Sequence, residues 1–349
     1  MALLNNRYYQ DDLSVVANLD FIHWEKIENK SLLITGATGL ICSFLIDVLM
    51  FRNKYFESNI MVYSLSRNSV SAKKRFSAYW TDPLFNYIQQ DIVDEIKLDE
   101  KVDYIIHGAS NAHPASYAAD PVGTIKSNVW GINNLLDYSL KAQCKRVLYI
   151  SSGEVYGEGN GEDFIESYSG YINPLNARSC YPSSKRTSEN LCISYLDQYN
   201  VDVVIARPCH VYGPTMTESD NRAFAQFLRN VLAGNDVVLK SKGAQCRSYC
   251  YVADCISALL VILLNGKVGE AYNIANKKSN ITVGELAEAI ATARQRKVIY
   301  DIPSNEEQKG YSVITRAVLS SGKLDSLGWY PKYTLTDSIQ KVIEILLDK

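Results

Sequence analysis

The chain has 349 residues, 47% of them hydrophobic, with 36 basic against 38 acidic side chains and a formal charge of -2. That is enough for two core-bearing lobes, or for one large α/β domain with an appended lobe. The near balance of charge gives no bulk reason to expect a nucleic-acid or acidic-membrane partner, whereas a small anion held by a few local cations remains compatible.

Residues 1–30 are amphipathic without a readable motif, and are expected to form an arm that packs on the main domain or on another subunit. The opening MALLNNRYYQDDLSVV has early acidic residues and no long apolar core, so it does not read as a secretory signal. No apolar run approaches the ~20 residues that span a bilayer. The eight cysteines contain no CxxC pair, and Cys246, Cys250 and Cys255 have no histidine close by. Reduced thiols in a cytoplasmic protein fit this pattern better than zinc, and no metal is expected.

Ser31–Thr35, Ile60–Leu65, Asp103–His107, Arg146–Ser151 and Val201–Ala206 read as buried strands. Between them Leu40–Phe51, Pro121–Lys141 and Pro182–Tyr199 carry apolar residues at helical spacing. Repeated strand–helix–strand units with runs apolar on both faces predict an α/β fold, a doubly wound parallel sheet covered by helices on both sides. Its ligand is expected past the carboxyl ends of the strands. The dinucleotide-binding (Rossmann) domain is assigned to residues 31–207. Residues 208–349 form a smaller substrate lobe, with helices expected at Arg222–Leu232, Asp254–Leu264, Val283–Arg294 and Thr336–Leu347. Short strands are expected at Val237–Lys240 and Tyr272–Ala275, and the segment near 250–265 is placed back against the first domain.

The first strand runs into Thr35-Gly36-Ala37-Thr38-Gly39-Leu40-Ile41-Cys42, which opens a helix. Glycines there permit a tight turn and let the backbone approach a pyrophosphate at the helix N-terminus. The Gly-x-x-Gly spacing resembles the short-chain dehydrogenase fingerprint, with Cys42 where a third glycine usually stands. Gly36, Thr38, Gly39, Leu40 and Ile41 are therefore candidate cofactor contacts. The second strand ends Ser64-Leu65-Ser66-Arg67-Asn68, without the acidic residue that would bond an NAD ribose. Ser66 and Arg67, followed by Lys73, Lys74 and Arg75, favour NADP over NAD through a 2′-phosphate. A solvated basic helix start is the alternative.

Ser152 ends a strand, and Tyr181 and Lys185 lie one turn apart on a later helix. A lysine cation beside a phenol is expected to pull the tyrosine below its ordinary ~10. Tyr181 could then take a hydroxyl proton while a hydride passes to nicotinamide, with Ser152 holding the same oxygen.

Together these pieces resemble the extended short-chain dehydrogenases, the nucleotide-sugar epimerase/dehydratase family, over nearly the whole chain after residue 30. Further matching pieces are His107-Gly108-Ala109-Ser110, Ala206-Arg207-Pro208 and Arg247-Ser248-Tyr249. The resemblance implies NAD(P) held also by Asp91, Ile92, Ala109, Tyr181 and Lys185. It implies a nucleoside-diphosphate sugar touched by Tyr117, Arg222 and Arg247, and a homodimer formed through the helices Pro121–Lys141 and Pro182–Tyr199. A surface ion pair with Asp254 is the other reading of Arg247. Glu154 without a preceding acid (Gly153 stands there) and the segment Ala109–Tyr117 are most similar to UDP-glucuronate decarboxylases, in which oxidation at C4 releases carbon dioxide. The catalytic set is then Ser152, Glu154, Tyr181 and Lys185. A 4-epimerase, a 4,6-dehydratase, an NADPH-dependent keto-sugar reductase and a silent dinucleotide sensor are the alternatives; a sensor has no need of the tyrosine–lysine pair.

Overall fold

The computed structural model describes residues 2–302 and 316–348. Among these, seven parallel strands form the main sheet. They are β1 (Ser31–Thr35), β2 (Met61–Ser66), β3 (Phe85–Gln89), β4 (Tyr104–His107), β5 (Arg146–Ile150), β6 (Val203–Pro208) and β10 (Ala271–Ile274), in the order β10-β6-β5-β4-β1-β2-β3. Alternate side chains of each strand serve opposite faces. Leu32, Ile34, Ile106, Leu148 and Val204 join one apolar core, and Leu33, Ile105, Val147, Tyr149 and Ile205 the other.

The first core is closed by α1 (Arg7–Ala17), α2 (Leu40–Phe56) and α6 (Val252–Asn265), the second by α3 (Pro121–Ala142) and α4 (Cys180–Tyr199). Helix α6 is buried over nearly its whole circumference, which its sequence VADCISALLVILLN requires, since it has no polar face to offer water. The remaining elements are α5 (Ala223–Leu232), α7 (Val283–Thr292), α8 (Leu335–Leu347) and short strands β7 (His210–Tyr212), β8 (Val237–Leu239), β9 (Cys246–Tyr251), β11 (Asn280–Thr282), β12 (Val298–Tyr300) and β13 (Arg316–Ala317). Strand β9 pairs with β7, β11 and β13, and β8 pairs with β12.

Two sequence expectations change. The strand at 271–274, expected within the second lobe, forms the edge of the main sheet beside β6, in register from Ala271 with Ile205 to Ile274 with Pro208. A four-residue apolar run cannot announce which edge it joins; the buried α6 before it carries the chain back. Arg75, grouped with the basic side chains that could meet a phosphate, instead turns inward. Its Nη1 donates to the buried carboxylate of Asp47 at 3.2 Å, and its Nη2 to the hydroxyl of Tyr9 at 3.3 Å. A buried carboxylate needs such a partner.

Tyr9 belongs to the N-terminal arm, which packs on its own chain. Asp12 of the same helix is buried and accepts from Lys341 Nζ at 2.7 Å and from the Tyr333 hydroxyl at 2.8 Å, and also from the Tyr251 hydroxyl. Among the described residues no helix is long and apolar enough to cross a membrane, and no His/Cys/Asp/Glu group is arranged to hold a metal.

Candidate active site

Strands β1 and β4 are neighbours whose connections leave in opposite directions, which opens a crevice at their carboxyl ends. The turn after β1 lies in it. Gly36 has φ +67°, and a Cβ there would stand 2.7 Å from the backbone of Gly108 and Ala109, so any side chain would push the turn off β4. Gly39 caps α2 without a side-chain bond, and no acidic residue occupies the first turn. The helix end therefore keeps backbone N–H groups and a partial positive charge for an anion. Thr38, Leu40 and Ile41 are half-buried on the same rim. Cys42 is accommodated by Gly108: a Cβ at 108 would lie 2.4 Å from its sulfur. The thiol fills space that this glycine leaves.

The remaining cofactor candidates continue along the rim. Ser66 is buried and its carbonyl accepts from the Tyr87 hydroxyl at 2.9 Å. Arg67 is 69% exposed, with Nη1 3.9 Å from Asp91. Asp91 lies two residues beyond β3 and accepts from Val93 N–H at 3.2 Å. Ile92 packs on Gly131 of α3. The pyrophosphate cradle, a helix end lacking acidic groups and a cation near the ribose end fit a dinucleotide.

Tyr181 and Lys185 sit on the first turns of α4, both buried. Burial pushes the Tyr181 phenol up to about 12, against hydrogen bonding from Ser152. Burial likewise pushes Lys185 down to about 7, against the charge of Glu189 one turn away. The expected downward pull of the lysine on the phenol is thus absent from the protein alone. Lys185 Nζ donates to the carbonyl of Ile150 at 2.8 Å and lies 5.9 Å from the centre of the Tyr181 ring; for each group removal from water is the leading cause of its shift. Ser152 is the N-cap of the short turn Gly153–Tyr156, its hydroxyl accepting from Glu154 N–H at 3.2 Å.

Glu154 lies on that turn, and burial raises its carboxyl while Arg178, Arg247 and Tyr117 oppose the rise. Its Oε2 stands 3.6 Å from Arg178 Nη1. Tyr117, expected to touch the sugar, is only 1% exposed and stacks on Tyr181 at 5.3 Å between ring centres. Its carbonyl accepts from the Cys180 thiol at 3.7 Å, so the ring lies against the start of α4. Arg222 is gripped by buried Asp220, from Nε at 3.0 Å and Nη2 at 2.6 Å. His113 reaches the same carboxylate at 3.4 Å. Arg247 is half-buried and donates to the Cys246 carbonyl at 2.9 Å. Asp254, its alternative partner, is buried and accepts from the backbone of Lys332 and Tyr333. Arg178, three residues before Tyr181, was not singled out by the sequence. The signal available was its place in the segment Asn173–Ser179 just before the helix that carries Tyr181.

The family model for NAD dependent epimerases/dehydratases matches residues 32–275. UDP-glucuronic acid decarboxylase 6 of Arabidopsis thaliana is 32% identical over 315 residues, 89% of this chain and 87% of that protein. UDP-glucuronic acid decarboxylase 1 of Danio rerio is 30% identical over 321 residues, covering 91% and 72%. Among solved structures, dTDP-glucose 4,6-dehydratase of Streptomyces venezuelae with NAD and TYD bound is similar with TM-score 0.77 and 25% identity, over 90% of this chain and 96% of that one. UDP-glucose 4-epimerase of Thermotoga maritima with UDP-glucose shares the fold at TM-score 0.76 and 24% identity, over 90% and 98%.

With Tyr181 as the proposed proton acceptor, Tyr181→Phe should lower kcat by about 10²–10⁴ and leave dinucleotide affinity nearly unchanged, measured by steady-state kinetics and dinucleotide titration. Retention of about a tenth of kcat, a barrier change of only ~1.4 kcal/mol, would remove Tyr181 from that role.

Proposed function

The chain belongs to the NAD dependent epimerase/dehydratase family, and from that premise we propose that it oxidises C4 of UDP-glucuronate and releases the sugar carboxylate as carbon dioxide. The observation that carries this choice within the family is the glycine at 153, which offers no acid beside Glu154 and lets Leu319 pack close. A Cβ there would meet both terminal methyls of Leu319 at 3.2 Å and the Pro208 carbonyl oxygen at 3.6 Å. No acid able to protonate a departing C6 hydroxyl stands at this position, and one placed there would require the Leu319 methyls to give by a few tenths of an ångström. Glu154 beside it faces two arginines. The 30–32% identity to UDP-glucuronic acid decarboxylases supports the same reading.

The roles follow from position. Tyr181 takes the proton of the C4 hydroxyl, Ser152 hydrogen-bonds that oxygen, and Lys185 orients the site from below. A bound dinucleotide supplies the hydride acceptor and, when oxidised, a positive charge near the phenol. The C4 ketone then lies β to the carboxylate, so the C5–C6 bond electrons can pass into the carbonyl as carbon dioxide leaves; the enolate takes a proton at C5 to give the 4-keto pentose, which return of the hydride to C4 would convert to UDP-xylose. The elements after residue 208 carry Arg222 and Arg247, assigned to the nucleotide-sugar. Eight free thiols support a reducing, cytoplasmic compartment.

Incubating protein, dinucleotide and UDP-glucuronate and weighing the product tests the reaction. Loss of carbon dioxide, to UDP-xylose or its 4-keto form, is expected. An unchanged mass would leave no reaction or an epimerase, and loss of water from a UDP- or dTDP-hexose would make it a dehydratase.

Two finer assignments accompany it. Exposed Arg67, with no acidic residue at the end of β2, favours NADP. Arg67→Ala should then weaken NADP by about 1 kcal/mol after solvent screening and leave NAD unchanged in parallel titrations. Equal effects would return Arg67 to its place beside Asp91. A homodimer through α3 and α4 is supported by Val122, Ile125 and Trp130, which expose 61%, 44% and 49% on one outward face. Trp130→Glu should shift sedimentation from dimer to monomer; identical profiles would argue against this interface.

A further inference from the structure

Arg178 lies in the turn Ala177–Ser179, whose N-cap Asn176 accepts its backbone N–H at 3.0 Å. Its Nη2 donates to the Tyr117 hydroxyl at 3.2 Å, and its guanidinium carbon lies 5.7 Å from the centre of the Tyr117 ring. That ring in turn stacks on Tyr181, the planes 17° from parallel. An arginine is thus fixed on an aromatic shelf one ring away from the proposed proton acceptor. Its other nitrogen, Nη1, approaches Glu154 only to 3.6 Å, and 56% of the side chain remains exposed. A guanidinium presents five N–H donors in a planar fork, and two parallel donors are the arrangement that receives a carboxylate.

We propose that Arg178 is the specificity residue for an acidic sugar, receiving the substrate carboxylate beside Glu154. The proposal rests on the uronic-acid reading above and adds to it the group that recognises the acid. A second carboxylate entering next to Glu154 meets like charge, which a cation beside the pair offsets. Arg178 is placed to supply it. A neutral hexose brings no such charge and makes no such demand. Arg178 therefore separates acid from neutral ligand, whereas a merely structural role would affect both alike.

The test uses the full chain loaded with NAD, titrated with UDP-glucuronate and with UDP-glucose as the neutral probe. Arg178→Met keeps the length and removes the charge. It should weaken UDP-glucuronate about tenfold or more, as for a lost charge-assisted bidentate contact, and leave UDP-glucose nearly unchanged. Arg178→Lys should recover part of the loss, since it restores the charge without the fork. As a second variant, Glu154→Gln should tighten UDP-glucuronate and not UDP-glucose. Equal losses for both ligands in Arg178→Met, or none for either, would overturn the proposal, as would a Glu154→Gln variant indifferent to ligand charge. If the wild-type protein prefers UDP-glucuronate through Arg178 yet releases no carbon dioxide, the recognition stands and the decarboxylase reading falls. If it releases carbon dioxide while Arg178→Met binds both ligands as before, the reverse holds.

Discussion

The close approach of the Gly36 turn to the end of β4 governs the geometry of the whole crevice. With φ +67° and room for no Cβ against Gly108 and Ala109, the chain can turn tightly enough for α2 to start directly over the strand ends. That start brings backbone N–H groups to the place where β1 and β4 part. Gly108 on the facing strand does the complementary service, leaving space for the Cys42 sulfur. The helix can therefore lie close to the sheet even though Cys42 stands where a glycine is usual. A side chain at either glycine would separate helix from sheet, and the rim carrying Thr38, Leu40 and Ile41 would move with it.

The same packing that closes the core sets the chemistry at its edge. Lys185 is taken out of water among Tyr149, Tyr181 and the Ile150 carbonyl, and Tyr181 is sealed under the Tyr117 ring. Both groups are held towards their neutral forms, the lysine down to about 7 and the phenol up to about 12. Burial is the leading cause in each case. A site poised in this way gains from an added positive charge near the phenol, which an oxidised nicotinamide would bring. Glu154, Arg178 and Arg247 form the charged side of the crevice, and Leu319 over Gly153 forms an apolar one.

Much of this is legible in the sequence. The strands show as short apolar runs because each is buried on both faces, and Gly36, Gly39, Ser152, Tyr181 and Lys185 fall on the elements where their spacing puts them. What escaped the sequence depends on contacts between distant segments. Arg178 gains meaning only through Glu154 and Tyr117, which other loops bring to it. Leu319 reaches Gly153 from near the end of the chain. Arg75 looks like one more solvated cation until Asp47 of α2 is found beneath it. Tyr117 reads as a wall of the sugar site, and its burial under Arg178 is a tertiary fact with no local signature.

The proposed reaction turns on oxidation of the sugar at C4 within this crevice. The most direct test supplies UDP-glucuronate carrying deuterium at C4, stops the reaction during turnover, and weighs the dinucleotide recovered from the protein. Hydride transfer from C4 puts deuterium in the dinucleotide recovered during turnover, and replacing Tyr181 by phenylalanine abolishes it. Deuterium lost to solvent, found neither on the dinucleotide nor at C4 of the product, would contradict hydride transfer.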